Sequence, residues 1–312
     1  MRVAAIDCGT NSVRLLVADV ADGAAGPVLN DVHREMRIVR LGQDVDRTGR
    51  LAPEALARTG AALADYAHVI DAASAQRVRL VATSATRDAA NRADFAAMVR
   101  DLLGIEPEVV TGHDEAALSF AGASAGLGRP SSELLVADIG GGSTELVRGD
   151  GTSPMQADSM DVGSVRLTER HFRDDPPTPS QVAAAEGDVR EALAVARRTV
   201  AFDPDVTVVG VAGTVTTLVA MTLGLPRYES ARVHGATVTT DAIRATTDDL
   251  LAMTHEQRGS VPVIHPGRVD VIAAGAVILR VLLEELGAPQ LTASEHDILD
   301  GIALSLIDVS RR

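Results

Sequence analysis

The chain has 312 residues, of which 46% are hydrophobic and only 2% aromatic, and its formal net charge is −14. This composition excludes a disordered chain, and the acidity argues against nucleic acid as a partner because binding it needs a broad cationic surface. The single cysteine, Cys8, excludes an internal disulfide and predicts a protein of the reducing cytoplasm.

The first 117 or so residues read as a hairpin followed by alternating helices and strands. The predicted elements are a hairpin over 3–7 and 13–20, an extended segment over 28–41, a helix opened by Pro53, a strand over 78–83, a helix ending near Gly104, a strand end at 109–111 and a helix from 112. Such alternation predicts an α/β domain.

The same order starts again at Leu134. The predicted elements are a second hairpin, a loop over 173–180, a helix capped by Ser180 that runs to about 200, a strand over 206–211, a helix from 214, a helix over 238–254, a long buried helix over 265–287, a strand over 290–293 and a last helix over 294–309. Residues 206–226 carry no charge, but Gly210, Gly213 and several threonines divide them, which favours a strand and a helix over a membrane span. No membrane partner is therefore expected.

A shift of 131 positions lays the second hairpin on the first. Asp7 then falls on Asp138, and the small-residue turn after each aspartate also coincides. Arg14 falls on Glu145, so the two copies differ in charge at that position. The repeat predicts two duplicated α/β domains whose hairpin turns have diverged in role.

Each turn follows a strand and is rich in glycine and hydroxyl side chains, which lets successive backbone amides form an anion-binding nest. The candidate phosphate-binding residues are Gly9, Thr10, Asn11 and Ser12 in the first turn and Gly140, Gly141, Gly142 and Ser143 in the second. The aspartate beside each turn suits a divalent cation that bridges carboxylate and phosphate oxygens, and Mg²⁺ favours that arrangement. Taken alone, Gly9 is better explained as a residue of a tight hairpin turn.

Two further segments place charged residues just after strand ends. Arg87 in "TSATRDA" could clamp a phosphate. Asp114 and Glu115 open a helix, where a carboxylate either compensates the helix dipole or orients and deprotonates a water molecule. The residues by themselves leave these two alternatives open.

Together these segments resemble the exopolyphosphatase and guanosine pentaphosphate phosphohydrolase family, within the superfamily that includes actin, sugar kinases and acetate kinase. The resemblance runs over nearly the whole chain, through "AAIDCGTNSVRLLVADV", "VATSATRDAANRADF", "TGHDEAALSF", "VADIGGGSTELV", "DVGSVRLTERHF", "GVAGTVTTLVA", "HPGRVDVIAAGAVIL" and "SEHDILDGIALSL". It implies an α/β fold of two duplicated actin-like (RNase H-like) domains, 1–117 with about 297–312 and 118–296, with the active site in the interdomain cleft.

The resemblance also implies an activity, which is hydrolysis of the terminal phosphoanhydride of inorganic polyphosphate with Mg²⁺, or with Mn²⁺ in its place. It assigns Glu115 as the base for the attacking water and Arg87 as a phosphate contact. It places Asp138 and Glu145 by the metal, with Asp7 as a further acidic contributor. One departure is Asp114, since family members commonly carry two consecutive glutamates there.

Several alternatives stay open at this point. The same chemistry could act on guanosine pentaphosphate or tetraphosphate, and other readings are an ATP-dependent kinase and a non-enzymatic actin-like scaffold. The chain ends without the additional C-terminal helical domains of long family members, so the length of polyphosphate that it prefers is open. The choice between a monomer and a homodimer is open as well. The apolar stripe Ile298, Ile302, Leu306 and Val309 must be buried, and the resemblance implies that the last helix packs on the first domain.

Overall fold

The computed structural model describes residues 1–23, 26–130 and 132–308. The chain divides into two compact units, unit 1 with Met1–Arg129 and Asp297–Arg312, and unit 2 with Pro130–His296. The predicted boundary between 117 and 118 falls inside a helix, Gly112–Gly126, which stays whole in unit 1. It does so because its second half packs on the helix that begins at Ile298.

Each unit is built on one mixed sheet. The strands of unit 1 are β1 (Arg2–Cys8), β2 (Ser12–Gly23), β3 (Gly26–Ile38), β4 (Arg77–Ala82) and β5 (Glu108–Val109). The strands of unit 2 are β6 (Leu134–Ile139), β7 (Thr144–Gly149), β8 (Pro154–Met160), β9 (Thr207–Val211), β10 (Thr237–Thr239) and β11 (Gln290–Ala293).

Helices connect the parallel strands in both units. The helices of unit 1 are α1 (Val45–Thr48), α2 (Pro53–Ala73), α3 (Ser84–Asp88), α4 (Arg92–Leu103) and α5 (Gly112–Gly126). Those of unit 2 are α6 (Ser164–His171), α7 (Pro179–Ala196), α8 (Ala212–Thr222), α9 (Ser230–Val233), α10 (Thr240–Ala252), α11 (His255–Gly259) and α12 (Ile272–Leu286). The last helix, α13 (Ile298–Asp308), belongs to unit 1.

The strand orders confirm the predicted duplication. Unit 1 has the order β3-β2-β1-β4-β5, and unit 2 repeats it as β8-β7-β6-β9-β11, with β10 added beyond β11. In both units the first three strands form an antiparallel meander, and the central strand pairs in parallel with the next one. The carboxyl end of the central strand, where the repeated turn begins, therefore has the same neighbours in each unit.

The sheet of unit 1 is covered on both faces. Helix α2, opened by Pro53, lays Leu63, Tyr66 and Ile70 on one face, where the Tyr66 hydroxyl donates to the carbonyl of Val13 (3.0 Å). Cys8 lies in the same core and is 1% exposed. Burial raises the pKa of its thiol, so Cys8 acts as a packing residue.

Helices α5 and α13 lie on the opposite face of that sheet. Ile298, Ile302 and Leu306 pack against apolar side chains of β1, β2 and β4, which confirms the predicted return of the last helix to the first unit. Val309, the fourth residue of the predicted stripe, lies outside the described residues.

Glycines let α5 and α13 approach until their backbones touch. A Cβ atom at Gly122 would overlap the carbonyl oxygen of Asp297, and one at Gly301 would overlap the carbonyl oxygen of Leu118. Both positions therefore need glycine for steric reasons. The contact fixes the start of α13 against the middle of α5.

Several local predictions for unit 2 were wrong. Helix α7 is capped by Thr178 rather than Ser180, because Thr178 and Gln181 form a reciprocal capping box with Pro179 at the first helical position. Helix α12 begins at Ile272, since Pro266–Arg268 forms a separate 3-10 turn. Strands β8 and β10 were not predicted.

The uncharged stretch 206–226 folds as β9 and α8, which confirms the predicted strand and helix. Within the described part of the chain, no helix is both long and apolar enough to cross a bilayer.

The glycine contact between α5 and α13 generates a stability prediction. Gly122→Ala should lower the free energy of unfolding of unit 1 by about 1–3 kcal/mol, because the added methyl group must displace a backbone carbonyl. The matched control is Gly187→Ala on exposed helix α7, where a Cβ meets no atom within 4 Å. That change should stabilise by about 0.5–1 kcal/mol, since glycine is disfavoured inside helices. Denaturation curves of both variants against wild type measure the difference, and an unchanged Gly122→Ala curve would contradict the close contact.

Candidate active site

The two repeated turns have the same backbone geometry. The amide of Gly9 donates to the carbonyl of Ser12 at 3.0 Å, and the amide of Gly140 donates to the carbonyl of Ser143 at 3.0 Å. In the strand register Asp7 faces Arg14, and Asp138 faces Glu145. The alignment made by shifting the sequence 131 positions therefore also holds in the fold.

The first turn is braced from its carbonyl side by the segment that follows β3. The carbonyl of Thr10 accepts from the amide of Gly42 (2.8 Å), and that of Asn11 accepts from the amides of Val39 (3.0 Å) and Arg40 (2.9 Å). In a trans peptide the N–H points away from the C=O, so the amides of Asn11 and Ser12 point away from this brace. The brace fixes the direction in which the turn presents its donors.

The second turn is braced in the same manner by the start of α6. The carbonyl of Gly140 accepts from Ser164 N (3.0 Å), that of Gly141 accepts from Val165 N (2.9 Å), and that of Gly142 accepts from Arg166 Nε (2.7 Å). With all three carbonyls bound on one side, the amides of the turn point to the other. Amides that are not bound from the carbonyl side are available as hydrogen-bond donors to an anion.

Glycines in the bracing segments were missed at the level of the sequence. A Cβ at Gly42 would overlap the side chain of Thr10, and one at Gly163 would overlap the carbonyl of Gly141. Each glycine follows the third strand of its repeat, in "RLGQD" and "DVGSV". That shared position was the signal that could have identified them.

Unit 2 carries a pair of buried carboxylates beside its turn. Asp138 is 6% exposed and Glu145 is 1% exposed, and they face each other on adjacent strands. Glu145 Oε1 accepts a hydrogen bond from the Ser159 hydroxyl (2.7 Å). Two hard oxygen ligands of this kind fit Mg²⁺, which usually takes one or two carboxylates and completes its shell with water and phosphate oxygens.

A larger metal-ligand cluster is not found. Among residues 1–23, 26–130 and 132–308, no three His, Cys, Asp or Glu side chains form a group that could hold a metal ion. Of the three predicted metal residues, Asp138 and Glu145 are the two that lie in unit 2.

Asp7, the third predicted metal residue, lies in unit 1 and is paired with a cation of the protein itself. Arg14 donates to Asp7 Oδ2 from Nε (2.9 Å) and Nη2 (2.7 Å), and to Asp297 Oδ2 from Nη1 (2.5 Å). Burial raises the pKa of the Asp7 carboxyl, and the charge of Arg14 opposes that rise. Burial by itself would lower the pKa of Arg14, but Asp297 and Asp7 outweigh it and raise that pKa well above its usual value.

The structure brings the two predicted catalytic residues together. Arg87 Nη1 donates to Glu115 Oε2 (2.9 Å) and to the carbonyl of Val110 (3.2 Å). Arg87 lies on α3 after β4, Glu115 lies on α5 after β5, and both strands are parallel, so the two side chains come from the same edge of the sheet. Glu115 is 8% exposed, so its carboxylate is held in a protected position by a cation.

The neighbouring carboxylate, that of Asp114, caps the helix on which both residues lie. Asp114 is exposed and forms a capping box with Thr111, accepting from the Thr111 hydroxyl (2.6 Å) while its own amide donates to Thr111 Oγ1 (3.2 Å). The N-terminus of α5 is therefore satisfied by Asp114. Glu115 does not form this cap and instead accepts a hydrogen bond from Arg87. The aspartate at position 114 serves as the capping side chain.

Comparison with known proteins agrees with this architecture. A sequence profile of the Ppx/GppA phosphatase family matches residues 16–309. Exopolyphosphatase 2 of Mycobacterium tuberculosis is 52% identical over 314 aligned positions, covering 98% of this chain and 98% of that protein. A solved structure described as an exopolyphosphatase-like protein superposes with a TM-score of 0.93 at 42% identity, covering 98% of this chain and 97% of that one.

The Aquifex aeolicus member of the family superposes with a TM-score of 0.84 at 33% identity, covering 100% of this chain and 99% of that one. These matches confirm the fold class inferred from the motifs, an α/β fold of duplicated actin-like domains. Because the profile and the relatives span nearly the whole length, the chain belongs to the Ppx/GppA phosphatase family.

Proposed function

We propose that this protein is an exopolyphosphatase that releases orthophosphate from the end of inorganic polyphosphate by metal-assisted attack of water. The observation that carries the proposal is the buried Glu115 held by Arg87 in a unit that also presents an amide-lined turn. The relative named Exopolyphosphatase 2, which is 52% identical over 98% of the chain, supports the choice of substrate.

The chain's own groups would bind and orient the phosphates. In unit 1 the amides of the first turn and the guanidinium of Arg87 would donate to phosphate oxygens, and in unit 2 the amides of the second turn would do the same. Such local donors would let a protein of net charge −14 bind a polyanion. A magnesium ion bound at Asp138 and Glu145 would supply further neutralisation of charge on the phosphate oxygens. Mn²⁺, another hard divalent cation, could take its place.

Glu115 would act as the base. Phosphoryl transfer depends mainly on alignment and charge neutralisation, so the protein needs a group that holds a water molecule in line with the leaving oxygen and accepts its proton. The ion pair with Arg87 fixes the carboxylate for that task. Cys8 is excluded as a nucleophile, because it is 1% exposed and burial raises its pKa.

Guanosine pentaphosphate is the second candidate substrate, since it carries the same type of terminal phosphoanhydride and the resemblance described under Sequence analysis includes its hydrolases. The test is phosphate release from polyphosphates of defined length, from guanosine pentaphosphate and from ATP under identical conditions. We expect the highest kcat/KM on polyphosphate. A preference for guanosine pentaphosphate would replace the proposal by its alternative, and ATP-driven polymerisation without phosphate release would favour a scaffold.

The carboxylate pair of unit 2 predicts dependence on a divalent cation. EDTA should abolish phosphate release and Mg²⁺ should restore it, because a divalent cation held by Asp138 and Glu145 would neutralise charge on the phosphate oxygens. Glu145→Gln should raise the Mg²⁺ concentration needed for half-maximal rate. The matched control is Glu133→Gln, a half-exposed carboxylate of the same unit that pairs with Arg148. Full activity in chelator would refute the metal requirement.

Glu115→Gln should lower kcat by about 10²–10⁴-fold, because glutamine keeps the size of the side chain but cannot accept the proton of water. The thermal midpoint and the affinity for polyphosphate should change little. Glu108→Gln is the control, since Glu108 also pairs with an arginine of unit 1, Arg79 (2.6 Å), but is exposed. Phosphate release, polyphosphate binding and thermal unfolding are measured on both variants.

A turnover rate of Glu115→Gln within a few-fold of wild type would remove Glu115 as the base. Asp114→Ala then separates the remaining explanations. Because Asp114 forms the capping box, its loss should cost about 0.5–2 kcal/mol of stability and leave kcat unchanged. A large fall in kcat for Asp114→Ala would instead give Asp114 the catalytic role.

A further inference from the structure

The hydroxyl of Thr10 makes a buried contact that the proposed function does not use. Its Oγ1 lies 2.9 Å from Oγ of Ser84, and either atom could be the donor of this hydrogen bond. Thr10 is 7% exposed and Ser84 is 2% exposed. Because Thr10 belongs to the first turn and Ser84 is the first residue of α3, the bond joins two segments that are 74 positions apart.

Helix α3 carries Arg87 but is too short to be stable by itself. It has five residues, and isolated helices of that length are unstable in water because nucleation is costly. Its position therefore depends on contacts with other segments. The amide of Thr83, which directly precedes α3, donates to the carbonyl of Cys8 (3.2 Å), and the next residue, Ser84, bonds to Thr10.

The segment after β3 packs against the same contact. A Cβ atom at Gly42 would overlap Cγ2 of Thr10 and would also meet Cβ of Ala85 on α3. The amide of Gly42 donates to the carbonyl of Thr10 (2.8 Å). Thr10 is thus held at its carbonyl by Gly42 and at its hydroxyl by Ser84. A shift of α3 against the first turn would break a buried hydrogen bond, which is costly.

We propose that Ser84 is a positioning residue that, through Thr10, fixes Arg87 relative to the first turn. Arg87 lies on the same short helix as Ser84, and its Nη1 donates to Glu115 Oε2 (2.9 Å). The bond between the two hydroxyls thus connects the amides that would bind phosphate to the ion pair that would act on it. This inference rests on the proposed function, because it takes Arg87 and Glu115 as the residues that act on the terminal phosphate.

The first test compares variants that break or keep this bond. Ser84→Ala and Thr10→Val each remove one hydroxyl, and either change should lower kcat by about tenfold or more, because a small displacement of a reacting group is enough for such a loss. KM should change by less than about threefold, since the turn amides and Arg87 are retained. Thr10→Ser restores the hydroxyl and should recover most of the kcat that Thr10→Val loses.

The matched control is Thr86→Val on the same helix. Thr86 is 0% exposed, and its hydroxyl has no hydrogen-bond partner among residues 1–23, 26–130 and 132–308. Its removal should leave kcat unchanged, because no bond is lost. A merely structural role of Ser84 predicts a lower thermal midpoint for Ser84→Ala with a normal kcat of the folded enzyme, and that result would overturn the proposal.

Double variants test whether Ser84 acts through Thr10 and Arg87. Ser84→Ala with Thr10→Val should be no slower than the slower single variant, because both changes break the same bond. In the Arg87→Gln background, Ser84→Ala should change the remaining kcat by less than about twofold. Losses that multiply in either pair would contradict the inference.

The kinetic comparison stays separable from the choice of substrate. Wild-type phosphate release from polyphosphate reports on the proposed function alone. The variants are compared on whichever of polyphosphate, guanosine pentaphosphate and ATP the wild type hydrolyses fastest. A preference for guanosine pentaphosphate would therefore defeat the proposed substrate and still let the variants decide the role of Ser84.

Amide hydrogen exchange gives a readout that needs no substrate. Ser84→Ala alters α3, yet we expect faster exchange also at the amides of Gly9 and Gly42, which are bonded to carbonyls of the first turn. Thr10→Val alters the turn and should speed exchange at the amide of Arg87 on α3. Exchange that rises only in the mutated segment would overturn the inference, even in a protein that hydrolyses none of the three substrates.

Discussion

The contact between α5 and α13 is the constraint on which the arrangement of unit 1 depends. Gly122 and Gly301 let the two backbones touch, and no larger residue fits without moving a carbonyl group. The contact fixes the start of α13, which Asp297 precedes, against the middle of α5, the helix that carries Glu115. Arg87 on α3 pairs with the carboxylate of Glu115, and Arg14 on β2 pairs with that of Asp297.

The duplicated frame is used asymmetrically. Both units end their central strand in an aspartate, close the following turn with the same hydrogen bond and brace the turn from its carbonyl side. The facing side chains differ, because Arg14 stands opposite Asp7 in unit 1 and Glu145 stands opposite Asp138 in unit 2. A common backbone can therefore serve two charge states, because the amide donors come from the main chain and only the facing side chain changes.

The acidity of the protein is compatible with a polyanionic substrate because the favourable charges are local. Peptide amides directed by a carbonyl brace act as fixed partial positive charges and need no net charge on the surface. In the second turn, three consecutive carbonyls accept hydrogen bonds from two backbone amides and the Arg166 side chain of α6. These bonds restrict the direction in which the amides of the turn can point. Preorganised donors of this kind lose little in reorganisation when charge develops on a phosphate.

The sequence by itself determined the repeat, the hairpins and the two turns, because alternation, helical periodicity and glycine placement are local signals. It also named Glu115 and Arg87 as separate candidates, but their ion pair came from the structure. Only the tertiary structure decided that Arg14 bridges Asp7 to Asp297, which lies 283 positions after Arg14. It also decided that Asp114 caps a helix while Glu115 is buried. The close approach of Gly42 and Gly163 to the two turns is likewise a tertiary feature. These features depend on which distant segments the chain topology brings into contact. The local sequence shows whether a residue is small, charged or apolar, but the packing of sheets and helices determines which distant residue it contacts.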